Sequence, residues 1–287
     1  MRQNRNIIGD WWLALIAALQ FLTRLPLSTK LPNAPAIFRR SVVFFPVAGL
    51  LVGVVVAGIG YGLSFILPAY VNAPLLLIIW VLLTGGLHMD GLMDTADGLL
   101  SHRSRERMLE IMKDSHVGAM GVIVGILTLL LKLMLLIALF GEAGAATAAD
   151  SARDTGIDIE RLLVLAVIPI WSRAFMVMAI AGWPYAREGH GMGNLFRSVR
   201  GRHAISAGLL SALLSLGVFL LFVIAGASFT MVLAWIGCIA LLTYIGGSWM
   251  ASAISRKLGG LTGDVYGALN ELLEVMLLLA AVVYFLM

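Results

Sequence analysis

APLLLIIWVLLTGGLHMDGLMDTADG, residues 73–98, is an apolar run that ends in three aspartates, Asp90, Asp94 and Asp97. A helix crossing a hydrocarbon core of ~30 Å needs about 20 apolar residues, so the spacing predicts a membrane helix over 73–93 with its acids at one end. At 3.6 residues per turn, offsets of four and seven put the three carboxylates on one helix face. An i,i+4 acidic pair alone costs roughly 0.2–0.5 kcal/mol, and Asp is a poor helix former; three acids together beside lipid call for a cation. A divalent metal is the simplest one. Hard carboxylate oxygens suit Mg²⁺, which takes one or two carboxylates and completes its shell with water and substrate phosphate. The bland alternative is a solvated helix end partnered by Arg103, Arg105 or Arg107.

The rest of the 287-residue chain extends the pattern. With 60% hydrophobic and 13% charged residues and a mean hydropathy of +0.96, it lies outside the range of soluble domains, where about a quarter of residues are charged. Seven runs are long enough to span: 41–67, 73–93, 117–140, 162–182, 204–226, 229–251 and 267–287. They lack the alternation of a membrane barrel, so the backbone must be satisfied within helices. The expected fold is an all-α, polytopic membrane helix bundle, read as a single integral-membrane domain over 1–287. A shorter stretch, Ile7–Leu22, opens with Asp10-Trp11-Trp12 and reads as an interfacial helix.

Basic residues alternate by loop. Segment 1–40 holds six Lys or Arg, 99–116 four, 183–203 four and 252–263 two, while 68–72 and 227–228 hold none. Segment 141–161 has Arg153 and Arg161 among five acids, around an Ala-rich stretch, Gly144–Ala152. The positive set belongs on the cytoplasmic side. The net charge of +4 then follows from topology and contact with anionic membrane lipid, with no nucleic-acid partner implied.

Every polar cluster with chemical character falls on that same side. Gly259-Gly260-Leu261-Thr262-Gly263-Asp264 opens the last run, with Glu271 on the face of Asp264 and Glu274 on an adjoining strip, a second acidic cluster that could sit opposite the first. A glycine-rich turn before a helix presents N–H groups to anions; a helix-breaking loop capped by Thr262 is the plainer reading. Arg173 lies mid-span and needs an acidic partner or an anionic substrate. Lys132 reads as structural. Ala186–Phe196, AREGHGMGNLF, reads as a mobile substrate loop. His88, one turn before the acids, is equally a packing histidine or a catalytic one.

These segments, in this order, resemble the cobalamin synthase family of adenosylcobinamide-GDP ribazoletransferases. The resemblance is carried by FLTRLP (Phe21–Pro26), RRSVVFFPVAGLLVG (Arg39–Gly53), TGGLHMDGLMDTADG (Thr84–Gly98), SRERMLEIMKDSHVG (Ser104–Gly118), AREGHGMGNLF and GGLTGDVYGALNELLE (Gly259–Glu274). His88, Asp90, Asp94, Asp97, Asp114, Arg173, Asp264, Glu271 and Glu274 match the family pattern; His102, His116, His190 and Asn270 depart from it. The resemblance implies that a ribose hydroxyl of α-ribazole, or of its 5′-phosphate, attacks the cobinamide-proximal phosphorus of adenosylcobinamide-GDP and releases GMP, late in adenosylcobalamin biosynthesis. On that reading Asp90, Asp94 and Asp264 hold Mg²⁺, Asp97 is a candidate base with His88 beside it, and Arg39, Arg40, Arg105 and Arg173 are candidate phosphate clamps. Asp114, Gly260, Thr262, Glu271 and Glu274 complete the expected substrate contacts. The implied location is a bacterial or archaeal cytoplasmic (inner) membrane, with the site facing the cytoplasm; small residues in nearly every span leave a homo-oligomer open. A CDP-alcohol phosphatidyltransferase also clusters aspartates on membrane helices, but Thr95-Ala96-Asp97-Gly98 breaks its pattern. An ion-coupled transporter would show repeated halves and a midplane site.

Overall fold

The computed structural model describes residues 7–31, 35–141, 159–187, 196, 198–224 and 228–286. The segment Gly144–Ala152 lies outside them, as do residues 188–195 of the Ala186–Phe196 loop. Among the described residues the protein is all-α. In chain order the helices are α1 (Ile7–Leu22), α2 (Pro35–Ser41), α3 (Phe45–Ser64, after a 3-10 turn), α4 (Ala69–Thr84), α5 (Leu87–Leu100) and α6 (Arg105–Ile111). They continue with α7 (Ala119–Gly141), α8 (Ile159–Gly182), α9 (Gly201–Ile224), α10 (Phe229–Leu258) and α11 (Gly263–Leu286).

Six stretches are long and apolar enough to cross a membrane: Pro35–Ser64, Ala119–Phe140, Ile159–Gly182, Gly201–Leu220, Phe229–Leu258 and Gly263–Leu286. These coincide with six of the seven runs expected from the sequence, and the chain is a multi-pass membrane protein. The seventh needs a correction. The expected span over 73–93 is no single helix, because α4 and α5 meet at 88°. Gly85 (φ 64°) and Gly86 (φ 70°) make the corner in left-handed backbone, which costs glycine little. We therefore read α5 as lying outside the spanning segments, where it passes the first turns of α11 and α7.

The centre of the bundle is α8. Of its apolar stretch, 83% is covered by protein, against 22–50% for the other candidate spans. Gly49 and Gly53 on α3 face it so closely that a Cβ on either would overlap the carbonyl of Pro169 or Ala166, the small-residue spacing that lets membrane helices approach. At 16 residues, α1 is about 24 Å long, the same length as α4. It leaves Trp11 and Trp12 exposed and is tied to α2 by an Asp10–Arg40 ion pair at 2.7 Å.

Candidate active site

Two glycines set the crossing of α5 and α11. A Cβ on Gly91 would sit 2.6 Å from the Asp264 carbonyl oxygen, and one on Gly267 would sit 3.2 Å from His88 Cα. The backbones thus touch where α5 carries His88 and Asp90 and where α11 begins. Thr262 caps α11, its Oγ1 accepting from the Val265 amide at 3.3 Å, and its hydroxyl also donates to Asp264 Oδ2 at 3.3 Å.

The glycine-rich segment before α11 fixes one more charge. Gly259 (φ 68°) ends α10 and Gly260 (φ 150°) lets the chain run beside Pro184. Leu261 N–H donates to Pro184 O and Ala186 N–H to Leu261 O, both at 2.8 Å. That short pairing places Arg187 over the start of α11, where its Nη2 donates to Asp264 Oδ2 at 2.8 Å and to Met112 O at 3.1 Å. Gly260 and Thr262 are therefore seen as the scaffold that orients Arg187 and Asp264.

A cavity of about 310 Å³ opens at this crossing, lined by His88, Asp90, Arg187, Asp264 and Tyr266 and walled on its apolar side by Phe21, Phe45, Met176 and Phe196. A larger groove of about 410 Å³ lies between α8, α10 and α11, but no charged side chain lines it. The polar cavity is the one lined by titratable side chains. Burial, followed by the Asp90, Asp264 and Asp97 charges, pushes the Asp94 carboxyl from an ordinary 3.8 up to about 6, with Arg187 pulling the other way. Carboxylates from α5 and α11 thus sense one another across the crossing. No group of three or more His, Cys, Asp or Glu side chains among the described residues is disposed to hold a metal ion by itself.

His88 is buried at the cavity wall, and neither ring nitrogen has a partner among the described residues. Burial and the nearby Arg173 and Lys132 charges hold its imidazole neutral. Asp97 is engaged elsewhere: its two oxygens accept from the Gly118 and Gly121 amides, each at 2.7 Å, and so tie α5 to the first turn of α7.

The structure does not bring the remaining expected residues to the cavity. Arg173, Glu271 and Glu274 cluster with Lys132, and Arg173 Nε and Nη2 have no partner among the described residues. Lys132 Nζ donates to Glu271 and Glu274 at 2.6 Å each, Arg173 donates to the other Glu274 oxygen, and Trp80 lies 4.9 Å from the ammonium. Glu274 and Arg173 have no exposed surface. Glu271 does share a helix face with Asp264, but seven residues is about 10.5 Å along the axis, and at that depth its neighbour is the lysine of α7. Arg105 donates from Nε to Leu258 O at 2.7 Å and closes the end of α10. Asp114 is exposed and accepts from the His116 amide and ring, which hold its carboxyl below the usual range. Arg39 and Arg40 line a different pocket, with Trp11, Arg202 and His203. Sequence reading placed Arg187 in the Ala186–Phe196 substrate loop without a role of its own; the pairing of Ala186 with Leu261 brings it to Asp264.

A family model for cobalamin-5-phosphate synthase matches residues 14–282. An adenosylcobinamide-GDP ribazoletransferase of Roseiflexus sp. is 37% identical over 272 residues, covering 94% of this chain and 90% of the relative. Proteins of the same name from Brevibacillus brevis (36% over 269 residues, 94% of this chain and 97% of the relative) and Desulfitobacterium hafniense (39% over 268 residues, 92% and 94%) are similarly close. No solved structure matches. With the match running through every element that builds the cavity, the chain belongs to the cobalamin-5-phosphate synthase family of enzymes.

Proposed function

We propose that this protein joins α-ribazole, or its 5′-phosphate, to adenosylcobinamide-GDP with release of GMP, in a Mg²⁺-dependent reaction at the α5–α11 crossing. The observation that carries the reading is the convergence of Asp90, Asp94 and Asp264 from two distant segments beside a cavity, with Arg187 alone among the described residues paired to them. Phosphoryl transfer depends mainly on positioning and on neutralising charge at the diphosphate, and this site offers groups for both.

In the bond balance, the ribose hydroxyl oxygen forms a bond to the cobinamide-proximal phosphorus. The bridging P–O bond breaks, and the electron pair leaves on GMP. Asp90 and Asp264, which line the cavity, would hold Mg²⁺, and the ion, when bound, would supply charge neutralisation at the diphosphate. Arg187 exchanges Asp264 for a phosphate oxygen as substrate enters. Neutral His88 donates its ring N–H to the oxygen of the attacking hydroxyl and orients it. Asp94, one turn behind Asp90, takes the hydroxyl proton. The excess of Lys and Arg in alternate loops supports a cavity that faces the cytoplasm, and the proposed location is a bacterial or archaeal inner membrane.

The test is incubation of the purified protein in lipid with adenosylcobinamide-GDP, α-ribazole and Mg²⁺, following GMP and the cobalamin product. Turnover that vanishes with chelator and in Asp264→Asn is expected. Inactivity there, with turnover of a CDP-lipid instead, would overturn the assignment in favour of a phosphatidyltransferase. For sidedness, a cysteine placed next to Arg187 in a Cys238→Ser background should escape impermeant reagents in intact cells. Ready labelling would invert the orientation.

A further inference from the structure

We propose that the pocket between α1, α2 and the start of α9 is a site for the phosphate headgroup of an acidic membrane phospholipid. It encloses about 280 Å³ and is lined by Trp11, Arg39, Arg40, Arg202, His203 and Ser206, none of which belongs to the catalytic cavity. Three guanidiniums converge there against a single carboxylate. Arg40 is the one held: its Nη1 donates to Asp10 at 2.7 Å, and its guanidinium lies 5.6 Å from the centre of the Trp11 ring. Arg39 and Arg202 have no acidic partner among the described residues, so the pocket carries two uncompensated positive charges. His203 spends Nδ1 on the Arg200 backbone at 3.0 Å, which leaves Nε2 without a protein partner among the described residues.

The surroundings select a lipid over a soluble phosphate. Trp11 and Trp12 are 41% and 62% exposed, and indoles on a short helix mark the headgroup level of a bilayer. Along α9, Arg202, Ser206, Leu209 and Leu213 follow at steps of four, three and four and share one face. The first two line the pocket; the next two are 69% and 65% exposed. That order, cation then hydroxyl then bare aliphatic surface, matches a phospholipid read from phosphate to acyl chain. Two unpaired guanidiniums favour a net-negative headgroup and disfavour one that carries its own ammonium, at an attraction of about fivefold in affinity per Arg.

The experiment is native mass spectrometry of the full-length protein from mixed phosphatidylglycerol and phosphatidylcholine micelles, comparing wild type, Arg202→Gln, the pair Arg39→Gln/Arg202→Gln, and a charge-matched pair, Arg256→Gln/Lys257→Gln. Wild type should retain phosphatidylglycerol over phosphatidylcholine. The preference should fall about fivefold in the single variant and about thirtyfold in the first pair, and should survive in the second. Arg202 is exposed, so the single variant carries the result even where the pair folds poorly. Equal retention in Arg202→Gln, or equal loss in Arg256→Gln/Lys257→Gln, would overturn the site. Glycerol phosphate or inorganic phosphate displacing the lipid at matched concentration would assign the pocket to soluble phosphate and sink the lipid reading.

Discussion

Two charged clusters lie within a few turns of each other on α11, and they are built on opposite plans. Around Glu274, two carboxylates meet two cations, Lys132 and Arg173, with next to no solvent access. Around Asp264, three carboxylates meet one cation, Arg187, at the edge of an open cavity. A buried cluster whose charges offset one another has less call on an external cation than one that carries excess negative charge. Depth and balance of charge, more than residue type, separate the part of α11 that holds the bundle from the part proposed to do chemistry.

The comparison can be broken by removing one charge from each cluster. Glu274→Gln leaves Arg173 and Lys132 short of a partner in a dry site and should cost about 3–5 kcal/mol of stability, read as loss of folded protein in a detergent-resistance melt. A stable but inactive variant would place the four-residue cluster in the active centre after all. Asp264→Asn should do the reverse: GMP release falls by about 10²–10³-fold, while the melt moves by no more than about 1 kcal/mol. Matching collapse of both variants would erase the distinction.

Acidity sharpens the same contrast. The Asp94 carboxyl titrates near 6 in the folded protein against an ordinary 3.8, so the native state binds the extra proton. Metal-free protein should therefore lose stability as pH rises from about 4 through 6, and Mg²⁺ affinity should be lost as pH falls through the same window. Between pH 7 and 5 the ionised fraction, and with it the apparent Mg²⁺ affinity, drops about tenfold. A flat Mg²⁺ dependence in titration calorimetry over that range would exclude Asp94 from the cation's surroundings. The smallest effect belongs to Asp97→Ala, which frees the Gly118 and Gly121 amides and should cost about 1 kcal/mol of stability with turnover per folded molecule retained. A hundredfold loss of turnover at unchanged stability would return Asp97 to the chemistry.

Hydropathy made most of the bundle readable, because lipid permits few alternatives to long apolar helices. The corner at Gly85-Gly86 escaped it, since two glycines between Thr84 and Leu87 leave the apolar run unbroken while changing its direction by 88°. That Asp90 and Asp264 would share a site was expected from their common side, from the acids that follow Asp264 and from the family resemblance, and both line the cavity. The fate of Glu271 and Glu274 was not: helical periodicity gave their face but not what stood across from it, and their partner Lys132 comes from a helix 139 and 142 residues earlier. Arg187 was hidden for the same reason, as its placement depends on backbone pairing between two loops.

The Glu274 cluster also bears on how the chain is made. Arg173 precedes its carboxylate by 101 residues and Lys132 precedes it by 142. At about 5–20 residues per second, Arg173 waits roughly 5–20 s in a nascent bundle before its counter-ion is synthesised. The last helix is thus a latch for biogenesis: until it inserts, the central helix holds an unneutralised charge, and a truncated product lacking it displays that fault to membrane quality control.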